Sequence, residues 1–172
     1  MKKFIKFPLV LGLVALCSGA LLSGVYNLTE STIRENKLER QTGALKNLFT
    51  SISDSEELEL SEEDINAGIT TAIKIVSKGK TYYTYQITFL DDYDAGESSF
   101  ILVIDNNGKV SDLEFVSTID NYAKKYATED FKKSIIGMTK VGEDLIVTGA
   151  TYTGEPMLIA VNQALDNYGR AK

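Results

Sequence analysis

The sequence predicts an α+β fold, in which an antiparallel sheet of hairpins packs with helices and follows one N-terminal transmembrane helix. Three observations lead to this prediction. Residues 7–29 contain no charged side chain, apolar and polar residues alternate from Ile69 onward, and apolar residues recur at helical spacing near the C-terminus. A period of two is typical of strands and a period of 3.6 is typical of helices, so both kinds of element are expected.

A basic head and an uncharged segment open the chain. The head, residues 1–6, contains three lysines, and the uncharged segment that follows is long enough to cross a bilayer. Because the positive charges precede the segment and Glu30 follows it, we expect the N-terminus in the cytoplasm and residues 30–172 outside the cell membrane. Residues 1–29 are therefore predicted to be a basic head and a transmembrane anchor.

A signal peptide and a lipidated Cys17 are the two alternatives to an anchor. A signal peptide would be removed from the mature protein, but no small-x-small cleavage site closes the segment. Lipidation would use Cys17, but Leu16 stands directly before it, where a small residue is normally needed. An uncleaved anchor is the prediction that fits both observations.

Residues 30–53 are predicted to form a juxtamembrane helix. One narrow stripe at alternating three- and four-residue spacing supports it and consists of Leu38, Gln41, Leu45, Leu48 and Ile52. The stripe would pack on the core of the domain or on a partner subunit. Residues 53–63 are acidic and rich in serine, which indicates a solvated linker rather than a metal site, and Ser61 is a candidate cap for a short turn.

The body of the chain, predicted to be an extracytoplasmic domain over residues 54–172, begins with strands. Alternation over residues 69–76 and 81–90, with a turn between them, predicts a first hairpin. Strands at 99–104 and 110–117 flank Asn107-Gly108, and Asn-Gly is a strong hairpin signal. At least four antiparallel strands are therefore expected.

Helices and one further strand complete the domain. A short helix over residues 128–136 should stop at Gly137. Residues 145–147 are three apolar β-formers that predict a strand, and a closing amphipathic helix over residues 155–168 should stop at Gly169. Its apolar face would join the core of the domain.

Composition excludes several kinds of chemistry. The chain has no His and a single Cys, so clustered-cysteine iron–sulfur sites, c-type haem attachment and typical zinc sites are excluded, and no metal site is predicted. Redox chemistry would need an organic cofactor. The net charge is −6, and removing the basic head leaves a more acidic remainder, which argues against nucleic-acid binding.

One stretch combines small residues with hydroxyls at the predicted start of the closing helix. It reads Thr148-Gly149-Ala150-Thr151-Tyr152-Thr153. Gly149 and Ala150 leave room for a group to approach the backbone, and the threonines lie at the positive end of a helix dipole, which suits a phosphate. A simple tight turn with a threonine cap is the alternative.

This stretch resembles the S/T-G-A-T-x-S/T signature of the FMN-binding domain family. The family includes the G subunit of the Rnf complex and the C subunit of the Na⁺-translocating NADH:quinone reductase. The resemblance implies FMN attached covalently through a phosphoester to Thr151, with Thr148, Gly149, Ala150 and Thr153 around it, and installed by an ApbE-type flavin transferase. The order of elements also resembles the family along nearly the whole chain: an anchor, then hairpins, then the signature stretch and a closing helix.

Two regions depart from the family pattern. Asp144 lies one position further from the signature than the corresponding acidic residue of the family, and the resemblance implies that the transferase recognises it. Many Rnf G subunits carry a Pro- and Gly-containing segment where this chain has residues 117–126. Tyr122 and Tyr126 could stack on the flavin there, with Lys124 or Lys125 near the reduced ring; packing of the tyrosines on the sheet is the alternative.

The predicted function is that of a membrane-anchored extracytoplasmic flavoprotein that relays electrons through covalent FMN. It would act within an oxidoreductase complex, with Rnf-like membrane subunits or other electron carriers as partners, rather than as an enzyme on its own. A stand-alone electron-transfer flavoprotein and a flavin-free membrane-anchored interaction module are the alternatives.

Overall fold

A computed structural model describes residues 11–12, 15–16, 18, 45, 48–90, 96–118 and 121–172. The chain divides into two compact units, Met1–Thr42 and Gly43–Lys172. In the first unit the described residues, among them Leu11 and Leu16, are helical. The rest of the predicted anchor and most of the predicted juxtamembrane helix lie outside the described residues. Among the residues described, no helix has both the length and the apolar character that a membrane crossing requires.

The second unit contains five strands and four α-helices whose bounds lie within its described residues, and Leu45 and Leu48 before them are also helical. The strands are β1 (Asp54–Glu57), β2 (Ile69–Ser77), β3 (Lys80–Leu90), β4 (Glu97–Asp105) and β5 (Val110–Ser117). The helices are α1 (Glu62–Asn66), α2 (Ala123–Tyr126), α3 (Glu129–Ile135) and α4 (Thr151–Ala171), and a 3₁₀ turn covers Glu143–Leu145. The α+β class predicted from the sequence is confirmed.

The strands form one antiparallel sheet in the order β1-β2-β3-β4-β5. The first predicted hairpin closes through Lys78 and Gly79, both with positive φ, of 50° and 73°. This is the geometry of the two-residue turns that match the twist of paired strands. The second hairpin closes at Gly108, where the Asp105 carboxylate accepts hydrogen bonds from the backbone N–H groups of Asn107 and Lys109. Both predicted hairpins are confirmed.

One face of the sheet packs against α4 and holds the main core. Alternate residues of β3 and β4 point to this face, including Tyr85, Phe100 and Leu102, and all three are fully buried. They meet apolar residues of α4 such as Met157 and Val161. Because α4 lies on the sheet through this apolar stripe, the position of its first turn is set by the core.

The opposite face of the sheet carries a smaller apolar cluster. Phe49, Ile75, Ile101 and Val103 are buried in it, and Leu45 and Leu48 pack against it. The predicted juxtamembrane helix therefore ends earlier than residue 53, because Phe49 leaves the helical geometry after Leu48. The backbone N–H of Ser53 already donates to the carbonyl of Val76 on the sheet.

Three further expectations about elements were wrong. The segment predicted as a linker contains β1, whose exposed polar residues pair with the edge of β2. Residues 145–147 are not a strand, because within the described residues they have no strand to pair with. They form the end of the 3₁₀ turn and an extended link, with apolar side chains packed against the core from partly buried positions. Helix α4 begins at Thr151, so Pro156 lies inside the helix and not at its first residue.

A buried carboxylate joins α1 to α4. Ser61 and Asp64 form a capping box at the start of α1, which confirms Ser61 as the cap. The Asp64 side chain has no exposed surface. Its oxygens accept hydrogen bonds from Gln163 at 2.8 Å, Asn167 at 2.8 Å and Arg170 at 2.6 Å.

This network explains two further features. Burial alone would raise the pKa of Asp64, but the hydrogen bonds from Gln163, the Ser61 backbone, Arg170 and Asn167 hold that pKa well below its usual range. Helix α4 also continues past Gly169, where the sequence predicted its end, since Arg170 in the last turn pairs with Asp64. A tertiary ion pair thus outweighs the local tendency of glycine to end a helix.

Candidate functional site

The signature stretch forms a corner between the 3₁₀ turn and α4. Gly149 has a φ of +74°, a conformation that side chains with a Cβ rarely adopt. Ala150 is buried and precedes the first helical residue, and its N–H donates to the carbonyl of Val147. Thr151 is then the first residue of α4 and its side chain is exposed. Of the threonines in this stretch, Thr148 and Thr151 are exposed, and Thr151 is the one at the helix start.

Tyr126 holds this corner from inside the protein. Its ring is fully buried, and its hydroxyl donates to the carbonyl of Ala150 at 3.0 Å and accepts the N–H of Val147 at 3.1 Å. Burial raises the pKa of Tyr126, so the hydroxyl remains a donor at neutral pH. The hydroxyl lies where a Cβ on Gly154 would stand. Gly154 is thus required for the tyrosine to reach the corner.

We expect Gly154→Ala to destabilise the protein although alanine favours helices. The new methyl group overlaps the Tyr126 hydroxyl and displaces it from both of its hydrogen bonds, at a cost of about 1–3 kcal/mol. Gly169→Ala in the same helix is the matched control, because no atom lies within 4 Å of its added Cβ, and it should stabilise by about 0.5–1 kcal/mol. Chemical denaturation measures both. Equal effects of the two substitutions would contradict the described fit.

A shallow cavity of about 200 Å³ opens at the corner. Its lining residues are Tyr122, Gly149, Ala150, Thr151, Tyr152 and Thr153. Thr153 is only 1% exposed, and its hydroxyl makes no hydrogen bond with any residue that the structure describes. A buried hydroxyl without a partner costs free energy, so a ligand oxygen at this position would satisfy it.

The start of α4 also carries a positive potential that its own first turn does not neutralise. Its N-cap residue, Ala150, makes no side-chain cap hydrogen bond, and its first turn has no acidic residue. A helix start carries roughly half a positive charge. Lys125 adds a full charge beside it, because its ammonium group donates to the Gly149 carbonyl at 3.2 Å. The corner therefore favours an anion.

The structure brings together five of the predicted site residues and separates three. Those that line the cavity are Thr151, Gly149, Ala150, Thr153 and Tyr122. Those outside it are Thr148, which is exposed before the corner, Asp144, which is exposed in the 3₁₀ turn, and Tyr126. Tyr126 has no exposed surface, which agrees with the alternative that this tyrosine packs in the core, and its hydroxyl supports the corner.

Sequence reasoning did not find the roles of Tyr152 and Gly154, and it placed Lys124 or Lys125 near the reduced flavin ring without finding the contact of Lys125 with the corner. Tyr152 is 58% exposed and lines the cavity, but an aromatic residue in a first helical turn has no distinctive signal. Gly154 gave a local hint, since glycine is costly inside a helix and indicates close packing. The contact of Lys125 with Gly149 spans 24 residues and could not be inferred from spacing.

The fold and the corner define a class of protein. It is an α+β domain whose longest described helix begins with an exposed threonine, at a corner that favours an anion. Comparison with known proteins adds a separate likeness. Residues 1–48 match a protein-family model described as the RnfG N-terminal region. This match supports the predicted resemblance to Rnf G subunits over these residues, and it does not reach the signature stretch.

The matched residues lie before the signature stretch, so the comparison is independent of the corner described above. No curated protein matches the chain. The likeness to Rnf G subunits therefore lies in the N-terminal region.

Proposed function

We propose that this protein is an Rnf G-type electron carrier that holds FMN as a phosphoester on Thr151. The observation that carries the proposal is the exposed Thr151 hydroxyl at the uncapped start of α4, beside Lys125. The match of residues 1–48 to the RnfG N-terminal region supports the same class from a separate part of the chain.

The residues at the corner fit a phosphate. A phosphodiester is an anion with several acceptor oxygens, and the corner offers donors and positive potential. The N-terminal turn of α4 lacks a side-chain cap, and the buried Thr153 hydroxyl has no partner within the described residues. Tyr122, 42% exposed, and Tyr152 line the same cavity and supply aromatic surface for the flavin ring. Bound FMN would accept and pass on one or two electrons.

Attachment is a group transfer without a change of oxidation state. The Thr151 Oγ attacks the flavin-side phosphorus of FAD in the active site of an ApbE-type transferase. The Oγ–P bond forms, the anhydride P–O bond breaks, AMP leaves and the hydroxyl proton is lost to a base. The chain itself contributes an accessible hydroxyl in a fixed position. This role needs Thr151 at the surface, where it lies.

Covalent attachment suits a carrier outside the cytoplasm. A dissociable flavin would be diluted and lost there, whereas a linked flavin has a very high effective concentration at its site. We place the FMN-binding domain outside the membrane, as a single-pass protein with a cytoplasmic N-terminus and the anchor at residues 1–29. The electron partners are then other membrane subunits of an Rnf-like complex, which the anchor keeps within reach.

We expect the full-length chain, co-expressed with an ApbE-type transferase, to gain about 438 Da, the mass of an FMN residue. The intact mass is measured after denaturation, so that only covalent flavin counts, and peptide mapping should place the gain between residues 148 and 153. A co-expressed known substrate shows that the transferase is active. An unmodified chain beside a modified control substrate would reject the proposal in favour of a flavin-free interaction module.

A stand-alone carrier outside an Rnf complex is the second candidate. It is favoured by residues 117–126, which lack the Pro- and Gly-containing segment of many Rnf G subunits. Affinity purification of the tagged full-length chain from native membranes separates the two. Stoichiometric recovery of other membrane subunits supports the complex, and recovery of the flavinylated chain alone supports the stand-alone carrier.

A further inference from the structure

We propose that Lys125 is a positioning residue that binds the phosphate of the flavin and holds it at Thr151. This inference rests on the proposed function and adds a residue that the signature stretch does not contain. Lys125 lies in α2, 26 positions before Thr151 in the chain. The fold therefore supplies the charge from outside the signature.

The contacts of Lys125 direct its ammonium group to the corner. It donates to the Gly149 carbonyl at 3.2 Å, and a Cβ built on Gly149 would lie 3.4 Å from the same nitrogen. Its charge also lies 5.2 Å from the centroid of the Tyr122 ring, one of the residues that line the cavity. Two neighbours of the attachment site thus fix the orientation of this side chain.

The charge of Lys125 is not compensated within the described part of the chain. The ion pairs found there involve other residues: Lys74 with Glu56, Lys132 with Asp112 and Glu114, and Arg170 with Asp64. Lys125 instead faces a helix start that is itself positive and has no acidic residue in its first turn. The ammonium group and the positive helix start repel each other when they stand alone. An anion bound between them is attracted by both and offsets this repulsion.

Thr153 supplies independent evidence for a ligand at this position. Its side chain is buried, lines the cavity and has no hydrogen-bond partner among the described residues. The oxygens of the proposed FMN phosphate can accept from this hydroxyl, from N–H groups at the helix start and from Lys125.

Lys124 provides a matched control from the same helix. Its ammonium group donates to the Asn121 side chain at 3.2 Å, whereas that of Lys125 donates to Gly149 in the corner. Lys124→Gln and Lys125→Gln therefore remove the same charge from neighbouring exposed positions. A difference between them reports on the contact with the corner rather than on net charge.

The test follows flavin transfer to the full-length chain in mild detergent, with purified ApbE-type transferase and FAD. We expect Lys125→Gln to slow the gain of covalent FMN about tenfold, because a charge-assisted hydrogen bond to phosphate is lost. Lys124→Gln should remain within about twofold of wild type, as surface charges contribute little. Lys125→Arg, which keeps the charge, should restore most of the rate.

A second readout examines the phosphate itself. The ³¹P resonance of the phosphoester in the loaded protein should move in Lys125→Gln and stay in place in Lys124→Gln. Equal rates in the two glutamine variants, or an unmoved ³¹P resonance in Lys125→Gln, would overturn the role of Lys125 while leaving Thr151 as the attachment site. Failure of the wild-type chain to take up FMN would instead overturn the proposed function, and this inference with it.

Discussion

We expect Thr151→Val to abolish covalent flavin and to leave the fold intact. Valine has nearly the shape of threonine but no hydroxyl, so the phosphoester cannot form. Because Thr151 is exposed at the first position of α4, the free energy of unfolding should change by less than about 0.5 kcal/mol. Intact mass after co-expression with the transferase measures the flavin, and chemical denaturation measures the fold.

The matched control is Thr151→Ser, which keeps a hydroxyl at the same place and should retain covalent FMN. Thr153 lies two residues away, but its side chain is only 1% exposed, so it should not replace Thr151 as the acceptor. Thr148 is exposed before the corner and lies outside the cavity. A full mass gain in Thr151→Val, mapped to either of these threonines, would refute the assignment of the site.

Asp64→Asn should destabilise the protein by about 3–5 kcal/mol, the cost of breaking a buried and hydrogen-bonded ion pair. The carboxylate accepts from Gln163, Asn167 and Arg170, whereas an asparagine would turn an NH₂ group toward some of these donors. In thermal unfolding the midpoint should fall by more than about 10 °C. Glu62→Gln in the same helix turn is the control, and its effect should stay below about 1 kcal/mol.

The pH dependence of this effect has a defined sign. The pKa of Asp64 is lowered in the folded protein from its ordinary value of 3.8, so the unfolded chain binds the proton more readily. The stabilisation is therefore fully present above about pH 4 and declines as the pH falls toward the folded pKa. The stability difference between wild type and Asp64→Asn should be constant from pH 7 to 5 and should shrink in acid. A difference that grows below pH 4 would contradict the described network.

Local patterns predicted most of the elements. The Lys78-Gly79 and Asn107-Gly108 turns, the strands beside them and the cap at Ser61 depend on interactions within a few residues, which the sequence displays directly. The expectation failed where distant contacts compete with local preference. Apolar residues 145–147 have strand propensity but no neighbouring strand, and Gly169 is a typical helix end but is overruled by the pairing of Arg170 with Asp64.

The candidate site likewise has features that the sequence displays and features that only packing sets. The signature stretch, its threonines and its position before a helix were visible in the sequence. The burial of Thr153 was not visible there, because it follows from the way α4 lies on the sheet. The two tyrosines of residues 117–126 looked equivalent, yet Tyr126 is buried under the corner while Tyr122 lines the cavity.

The sequence by itself determined the fold class, the hairpins, the resemblance to Rnf G-type subunits and the threonine proposed to carry FMN. These follow from periodicity, turn chemistry and a short contiguous signature, all of which are local. Only the tertiary structure decided the supports of the site: Tyr126 under the corner, Gly154 making room for it, and Lys125 beside Gly149. Contacts between residues 24 or more positions apart leave no periodic trace, since they depend on how the helices pack on the sheet.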